Sequence, residues 1–181
     1  MRNFLIMSLP RSRTAWLSNF LTVGKCYCYH DLWYHSGCDA AAFGESMRHP
    51  EVLADSSGTA DSGAIFALDE IRKELPDLVE IYVRRDLSEC ISSMALAMDE
   101  PEDAIRPFMI DCHEALEDRC FEHQFKFEQL DDETTVRDLW EVVTGGLPFP
   151  MAHFEKSVRQ QIMLKPGYLI DVKNEAMENK S

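Results

Sequence analysis

Short apolar runs alternate along this chain with longer segments in which apolar residues recur every three or four positions. The short runs are typical of buried strands, and the longer segments are typical of helices that cover them. The runs predict five strands, near residues 3–7, 25–29, 51–55, 78–83 and 123–128. The periodic segments predict seven helices, near residues 14–22, 39–48, 60–75, 87–98, 102–120, 133–144 and 151–163.

This alternation predicts an α/β fold with three layers, in which a mostly parallel five-stranded sheet is flanked by helices. Ligands of such folds bind where the carboxyl ends of the strands meet the loops that follow them. Because a chain of 181 residues is most simply one domain, we expect a single domain over residues 1–170. A polar C-terminal tail is expected over residues 171–181.

The helix predicted near residues 60–75 has a clear periodicity. Its apolar stripe consists of Ile65, Leu68, Ile71 and Leu75. Thr59 or Asp61 can cap its amino end, because a side-chain oxygen there accepts a hydrogen bond from a free helix amide. The preceding strand would then end near Asp55.

The composition is strongly acidic, with 18 basic and 32 acidic residues and a net charge of −14 at pH 7. Such a surface repels nucleic acid and anionic membranes, so we expect neither as a partner. No apolar run approaches the roughly 18 residues of a membrane span. The first apolar run is also too short for a signal-peptide core, so the sequence predicts a cytoplasmic protein.

The six cysteines fit a reducing compartment. Cys90 and Cys112 fall among apolar neighbours and are expected to be reduced core residues. The cluster Cys26, Cys28, His30, His35 and Cys38 raises the possibility of a zinc site. Alternate residues of a strand share one face, however, and structural zinc sites usually use wider spacing. We therefore expect Cys26 and Cys28 to face the core, and we expect no metal.

The loop after the first strand combines cationic and hydroxyl side chains. Arg11, Ser12, Arg13 and Thr14 follow the apolar run and precede a helical segment. A helix amino end carries free amide groups and a partial positive charge, and arginine binds tetrahedral oxyanions with two parallel hydrogen bonds. The pattern predicts a phosphate or sulfate site at the carboxyl end of the first strand. The Gly and Lys of a Walker A loop are missing.

A second cationic loop follows the fourth predicted strand. Arg85 and Asp86 come after the strand, Asp86 can cap the next helix, and Ser93 lies eight residues after Arg85. Arg84 and Ser92 have the same separation, so the register is open by one residue. We favour Arg85 and Ser93 because Asp86 directly follows Arg85.

These two loops resemble the sulfotransferase family, whose members have a P-loop-like fold and use 3′-phosphoadenosine 5′-phosphosulfate (PAPS). The first loop resembles the family's 5′-phosphosulfate loop at Pro10, Arg11, Ser12, Thr14, Trp16 and Leu17. Arg13 stands where the family has Gly, so it must adopt ordinary helical angles or the loop differs in detail. Ala15 replaces a Thr. The second loop resembles the 3′-phosphate motif, with Leu87 in place of Pro.

The resemblance implies PAPS as the sulfuryl donor and no metal. Its 5′ end would be held by Arg11, Ser12, Arg13, Thr14, Ala15 and Trp16, and its 3′-phosphate by Arg85 and Ser93. Arg11 would also stabilise the departing phosphate. A weaker resemblance covers residues 124–130 and 145–148. The family's basic C-terminal segment has only poor counterparts, Arg159 and residues 163–167.

The family places its catalytic base at the end of the second or third strand. Asp31 follows the second predicted strand and is the favoured base, with His30 and Asp55 as alternatives. The sequence thus predicts sulfuryl transfer to a hydroxyl or amine of an unidentified acceptor. Two alternatives remain: a non-catalytic nucleotide- or partner-binding module on the same fold, and a P-loop-type phosphotransferase.

Overall fold

Five parallel strands form one sheet at the centre of the protein, in a computed structural model that describes residues 1–159. The strands are β1 (Arg2–Ser8), β2 (Cys26–His30), β3 (Ser56–Asp61), β4 (Val79–Arg84) and β5 (His123–Lys126). They lie in the order β2-β3-β1-β4-β5, and each neighbouring pair is parallel. The predicted α/β class with a five-stranded sheet is confirmed.

Helices cover both faces of the sheet. They are α1 (Thr14–Leu21), α2 (Leu32–His35), α3 (Ala40–Arg48), α4 (Leu68–Glu74), α5 (Leu87–Met98), α6 (Glu102–Glu117), α7 (Glu133–Thr144) and α8 (Met151–Val158). Phe4 and Ile6 of β1 pack against α1, α7 and α8, whereas Leu5 and Met7 pack against α3 to α6. Successive strand residues point to opposite faces, so one central strand supplies both cores. The three predicted layers are therefore present.

The third strand lies five residues later than predicted, and the prediction of a strand at residues 51–55 is wrong. Val52 and Leu53 are exposed, whereas every residue of β3 is buried. The strand Ser-Ser-Gly-Thr-Ala-Asp is small and polar because it runs close beneath large side chains. A Cβ on Gly58 would lie 2.3 Å from the Phe4 ring. The buried Ser56 hydroxyl donates to Val143 O at 2.7 Å.

The same shift corrects the start of the following helix. Thr59 and Asp61 belong to β3, a 3-10 turn occupies residues 64–67, and α4 begins only at Leu68. Asp61 still binds the turn, because its Oδ1 accepts from the amides of Gly63 and Ala64 at 2.8 and 3.0 Å. The predicted stripe of Ile65, Leu68, Ile71 and Leu75 is buried, as expected.

Other predicted boundaries agree more closely. The bounds of α5 and α7 match the prediction, and Asp86 caps α5 by accepting from the amide of Glu89 at 3.0 Å. Helix α6 ends at Glu117 rather than near residue 120, and a 3-10 turn at residues 127–129 shortens β5. The short α2 was not predicted. The end of the helix expected over 151–163, the segment 163–167 and the tail 171–181 lie outside the described residues.

The six cysteines are free, and all of them lie in the described part of the chain. Cys90 and Cys112 are buried as expected, and Cys26 and Cys28 face the core formed with α1, α7 and α8. Over residues 1–159, none of the helices has the length and apolar character needed to cross a membrane.

Candidate functional site

The loop between β1 and α1, residues 9–13, lies at the carboxyl edge of the sheet next to the end of β4. Arg11 and Arg13 both have left-handed backbones, with φ of 73° and 62°. The alternative of ordinary helical angles at Arg13 is therefore wrong: Arg13 takes the conformation that Gly adopts without strain. Such a conformation costs a non-glycine residue about 1 kcal/mol or more.

This backbone leaves several amide groups of the loop without a hydrogen-bond partner. Among the described residues, no hydrogen-bond acceptor is found for the amides from Arg11 to Trp16. The hydroxyl of Ser8, the last residue of β1, is also buried without a partner among residues 1–159. Alternating right- and left-handed residues before a helix orient successive amides toward one point and so favour an anion.

The two cationic motifs of the sequence meet at this loop. Arg11 Nε donates to Ser93 Oγ at 3.2 Å, and Arg85 Nη1 donates to the carbonyl of Arg11. Burial lowers the pKa of Arg11, and the neighbouring charge of Arg85 lowers it further. Two guanidinium groups at such close quarters create a local positive potential in an otherwise acidic protein.

The alternative register does not reach the loop. Arg84 pairs with Glu117 of α6, and Ser92 Oγ donates to Glu102 at 2.5 Å. Successive residues at the end of a strand point to opposite faces of the sheet, so the two arginines contact different partners. The structure brings Arg85 and Ser93 to the loop and directs Arg84 and Ser92 to α6.

The side chain of Arg13 points away from the loop and contacts two residues that the sequence analysis missed, Asp131 and Phe127. Its guanidinium pairs with both carboxylate oxygens of Asp131, at 2.5 and 3.2 Å. It also lies 5.1 Å from the ring centre of Phe127, whose ring is 4.0 Å from the guanidinium carbon of Arg85. Phe127 thus contacts both cations. Its position directly after β5 is the sequence signal that could have identified it as a site residue.

Ser12 and Trp16 contribute packing beneath the loop. The Ser12 hydroxyl is fully buried and lies 3.5 Å from Cys90 Sγ. The Trp16 indole is 5% exposed and donates to Ser157 O at 3.0 Å. Their backbone amides have no acceptor among the described residues, whereas their side chains are engaged elsewhere. Ala15 lies at the surface on the other side of α1, beside His30.

Asp31 also has a left-handed backbone, with φ of 51°, where β2 turns into α2. Its Oδ1 is buried without a partner among residues 1–159, and its Oδ2 lies 3.5 Å from His30 Nε2. The same imidazole nitrogen is 3.1 Å from the Thr14 hydroxyl. A chain of polar contacts therefore joins the start of α1 to Asp31.

Burial raises the pKa of Asp31; the charge of Asp61 also raises it, and His30 opposes the shift. A carboxylate with a raised pKa accepts a proton more readily near neutral pH. The raised pKa makes Asp31 a stronger base than an ordinary carboxylate.

Asp61 is a buried carboxylate that the sequence analysis missed because it placed the third strand at residues 51–55. It ends β3 and is 0% exposed. Its Oδ2 accepts from the amide of Trp33 at 2.8 Å, in addition to the two amides accepted by Oδ1. It therefore fixes the turn that follows Asp31. A correct position for β3 would have revealed it as the carboxylate at the end of that strand.

Asp55 is not a candidate base, which corrects the alternative considered from sequence. It precedes β3, and its carboxylate pairs with Lys25 Nζ at 2.9 Å before the start of β2. Strands of a parallel sheet all run the same way, so Asp55 lies at the edge opposite the loop. His30 remains beside Asp31.

A groove of about 890 Å³ runs along the outer side of β2 and reaches the site at Ala15 and His30. We call it the β2 groove. Its walls include Ser18 and Asn19 of α1, Tyr27 and Tyr29 of β2, and residues of α2, α3 and α8. Among residues 1–159, no cluster of three or more His, Cys, Asp or Glu side chains is arranged to hold a metal ion.

The fold and the site together define an α/β protein with a candidate anion-binding loop, two clustered arginines and a nearby partly buried carboxylate. No protein-family model matches the chain, and a search of curated proteins returns no match.

Proposed function

We propose that this protein is a sulfotransferase that moves a sulfuryl group from PAPS to a hydroxyl or amine of an acceptor. The observation that carries the proposal is the meeting of two motifs far apart in sequence. Arg11 contacts Ser93, and Arg85 contacts the Arg11 carbonyl, at the ends of the adjacent strands β1 and β4. A ligand with two anionic groups fits the free amides of the loop and the two arginines beside them.

The proposed reaction assigns a role to each group. The acceptor oxygen or nitrogen attacks the sulfur, the bond from sulfur to the bridging phosphate oxygen breaks, and 3′-phosphoadenosine 5′-phosphate leaves. Arg11 and the free loop amides stabilise the charge that develops on the phosphate. The Asp31 carboxylate takes the acceptor proton, for which its raised pKa is suited.

The binding assignments follow the same geometry. The backbone of residues 11–16 holds the 5′ end, Thr14 adds a hydroxyl, and Arg85 and Ser93 hold the 3′-phosphate. The reaction uses no metal, because guanidinium groups and amides supply the positive potential. A cytoplasmic location, without nucleic-acid or membrane partners, belongs to the same proposal.

Calorimetric titration with 3′-phosphoadenosine 5′-phosphate tests the donor site, with ATP as the comparison ligand. We expect the bisphosphate to bind more tightly than ATP. Arg85→Ala should weaken its binding by at least about tenfold, since a charge-assisted hydrogen bond contributes about 1.5–3 kcal/mol. Arg84→Ala is the matched control, because Arg84 faces α6. Equal losses in both variants, or no binding of the bisphosphate, would overturn the proposal.

One observation favours a non-catalytic alternative on the same fold. Arg13 is paired with Asp131, so one of the loop cations is already neutralised by the protein. A nucleotide- or partner-binding module would bind the bisphosphate without transferring sulfate to any acceptor. Preferred binding of ATP in the titration would instead favour a P-loop-type phosphotransferase, which lacks support from a Walker lysine in this sequence.

A further inference from the structure

The β2 groove opens at the catalytic end of the sheet. Its near end is formed by Ala15 and His30, and the His30 imidazole contacts Thr14 and lies beside Asp31. A ligand in the groove would therefore bring one end to the carboxylate that we propose as the base. His49 and His153 also line the groove.

The edge of β2 is already satisfied, so the groove does not offer a free strand for a peptide. Val23 exchanges both backbone hydrogen bonds with Cys26 at 3.0 Å. The Thr22 hydroxyl accepts from the Cys28 amide and donates to the Cys28 carbonyl, each at 3.1 Å. Addition of an extended peptide needs a row of unpaired backbone groups, which this edge lacks at both residues.

The groove walls carry groups that both donate and accept hydrogen bonds. They include the hydroxyls of Ser18 and Tyr27, the amide of Asn19 and four imidazoles, from His30, His35, His49 and His153. No lysine or arginine is among the lining residues, and Glu51 is the carboxylate there. In a protein of net charge −14, this surface disfavours an anionic ligand.

The shape of the β2 groove and its aromatic rings restrict the class of ligand further. Tyr27 and Tyr29 stand edge to face, with ring centres 4.8 Å apart, and both are partly exposed in the groove wall. Small apolar ligands usually bind in enclosed pockets lined mostly by apolar side chains. This groove is open and rich in polar groups, so it suits a longer ligand with hydroxyl groups and flat apolar faces.

We propose that the β2 groove binds an uncharged oligosaccharide and presents one of its hydroxyls to His30 and Asp31. Naming this ligand the acceptor rests on the proposed function, whereas its binding in the groove does not. Sugar hydroxyls pair with groups that donate and accept, and the C–H faces of the rings pack on Tyr27 and Tyr29. His30 orients the reacting hydroxyl from the Thr14 side.

Saturation-transfer NMR on the full chain without nucleotide tests the inference, with chitotriose and maltotriose as the uncharged probes. The comparison ligands are 4-nitrophenol and an anionic hyaluronan tetrasaccharide. We expect transfer to at least one uncharged probe. We also expect Tyr27→Ala and His49→Ala to weaken its binding about tenfold. Tyr34→Ala and His123→Ala are matched controls outside the groove walls, and thermal unfolding checks that all four variants fold.

Absence of transfer to both uncharged probes would overturn the inference, as would preferred binding of the phenol or the anionic saccharide. Equal losses in groove and control variants would overturn it as well. Titration with 3′-phosphoadenosine 5′-phosphate is run separately on the same samples. Saccharide binding without bisphosphate binding would support the groove ligand and reject the proposed sulfotransferase. Bisphosphate binding without saccharide binding would reject the groove ligand and leave the proposed sulfotransferase standing.

Discussion

At the scale of single residues, three residues at the site have a left-handed backbone conformation: Arg11, Arg13 and Asp31. Glycine is the residue that adopts this conformation without strain, so their presence means that surrounding contacts hold them there. Arg13 is held by Asp131, and the turn after Asp31 is held by Asp61. Backbone strain of this kind clusters at active sites and ligand-binding sites.

Asp31→Asn is expected to lower turnover about 10²- to 10⁴-fold while bisphosphate binding stays nearly intact, because the amide cannot take a proton. Asp55→Asn is the matched control at the opposite edge of the sheet and should retain full activity. The assay is sulfate transfer from PAPS to an acceptor, beside calorimetric titration. Normal turnover of Asp31→Asn would remove Asp31 from the mechanism.

The same residue gives a prediction for stability against pH. Burial makes the pKa of Asp31 higher in the folded protein than in the unfolded chain. Its contribution to stability is therefore present at low pH and is lost as pH rises through the folded pKa. Urea unfolding should find Asp31→Asn more stable than the wild type at pH 7. The difference should vanish near about pH 3, below the usual carboxyl pKa. A less stable variant at pH 7 would contradict this.

Arg13 offers a test of backbone strain that is separate from charge. Arg13→Gly and Arg13→Val both remove the guanidinium and its pair with Asp131, but only valine is strained at a φ of 62°. We expect the valine variant to be less stable than the glycine variant by about 1–3 kcal/mol in urea unfolding. Equal stability of the two would mean that the loop relaxes out of the left-handed conformation.

At the scale of elements, β3 shows how packing selects small polar residues inside a sheet. It lies between β2 and β1, and all six of its residues are buried. Gly58 faces the Phe4 ring so closely that no side chain fits without a shift. Because β3 ends at Asp61, its position also sets where Asp31 and the β2 turn lie.

Gly58→Ala is expected to destabilise the protein by about 1–3 kcal/mol, as overpacking does in a filled core. Phe4→Leu in the same chain should recover part of that loss by giving the new methyl group room. Urea unfolding of the two single variants and the double variant forms the test. Strictly additive effects would contradict the contact between the two residues.

At the scale of the whole molecule, the site is a small cationic region on a body of net charge −14. Arg11 and Arg85 lie close together, and Arg11 Nε donates to Ser93 Oγ of α5. The exposed Glu89 carboxylate contacts Arg85 Nε at 3.3 Å and offsets part of its charge. A bound dianion would relieve the repulsion between the two guanidinium groups. Ligand binding should therefore be coupled to the stability of the fold.

Bisphosphate at about 100 times its dissociation constant should raise the free energy of unfolding by about 2.7 kcal/mol. For a chain of this size, that corresponds to a rise in Tm of roughly 5–10 °C. Differential scanning fluorimetry measures it. Arg84→Ala should keep the rise, and a tenfold weaker Arg85→Ala should retain only about half of it at the same bisphosphate concentration. An equal rise in Tm in both variants would mean that the bisphosphate binds at a site other than the one formed by Arg85.

The local sequence determined the strand–helix alternation, the bounds of α5 and α7, the Asp86 cap and the two cationic loops. These features depend on residues within a few positions of one another, where periodicity and capping act. Only the tertiary structure decided the position of β3, the role of Asp61, the pairing of Arg13 with Asp131 and the choice of Arg85 over Arg84. The physical reason is that these depend on neighbours distant in sequence: β3 is a strand because Phe4 and the flanking strands bury it, and polarity along the chain gave no sign of that burial.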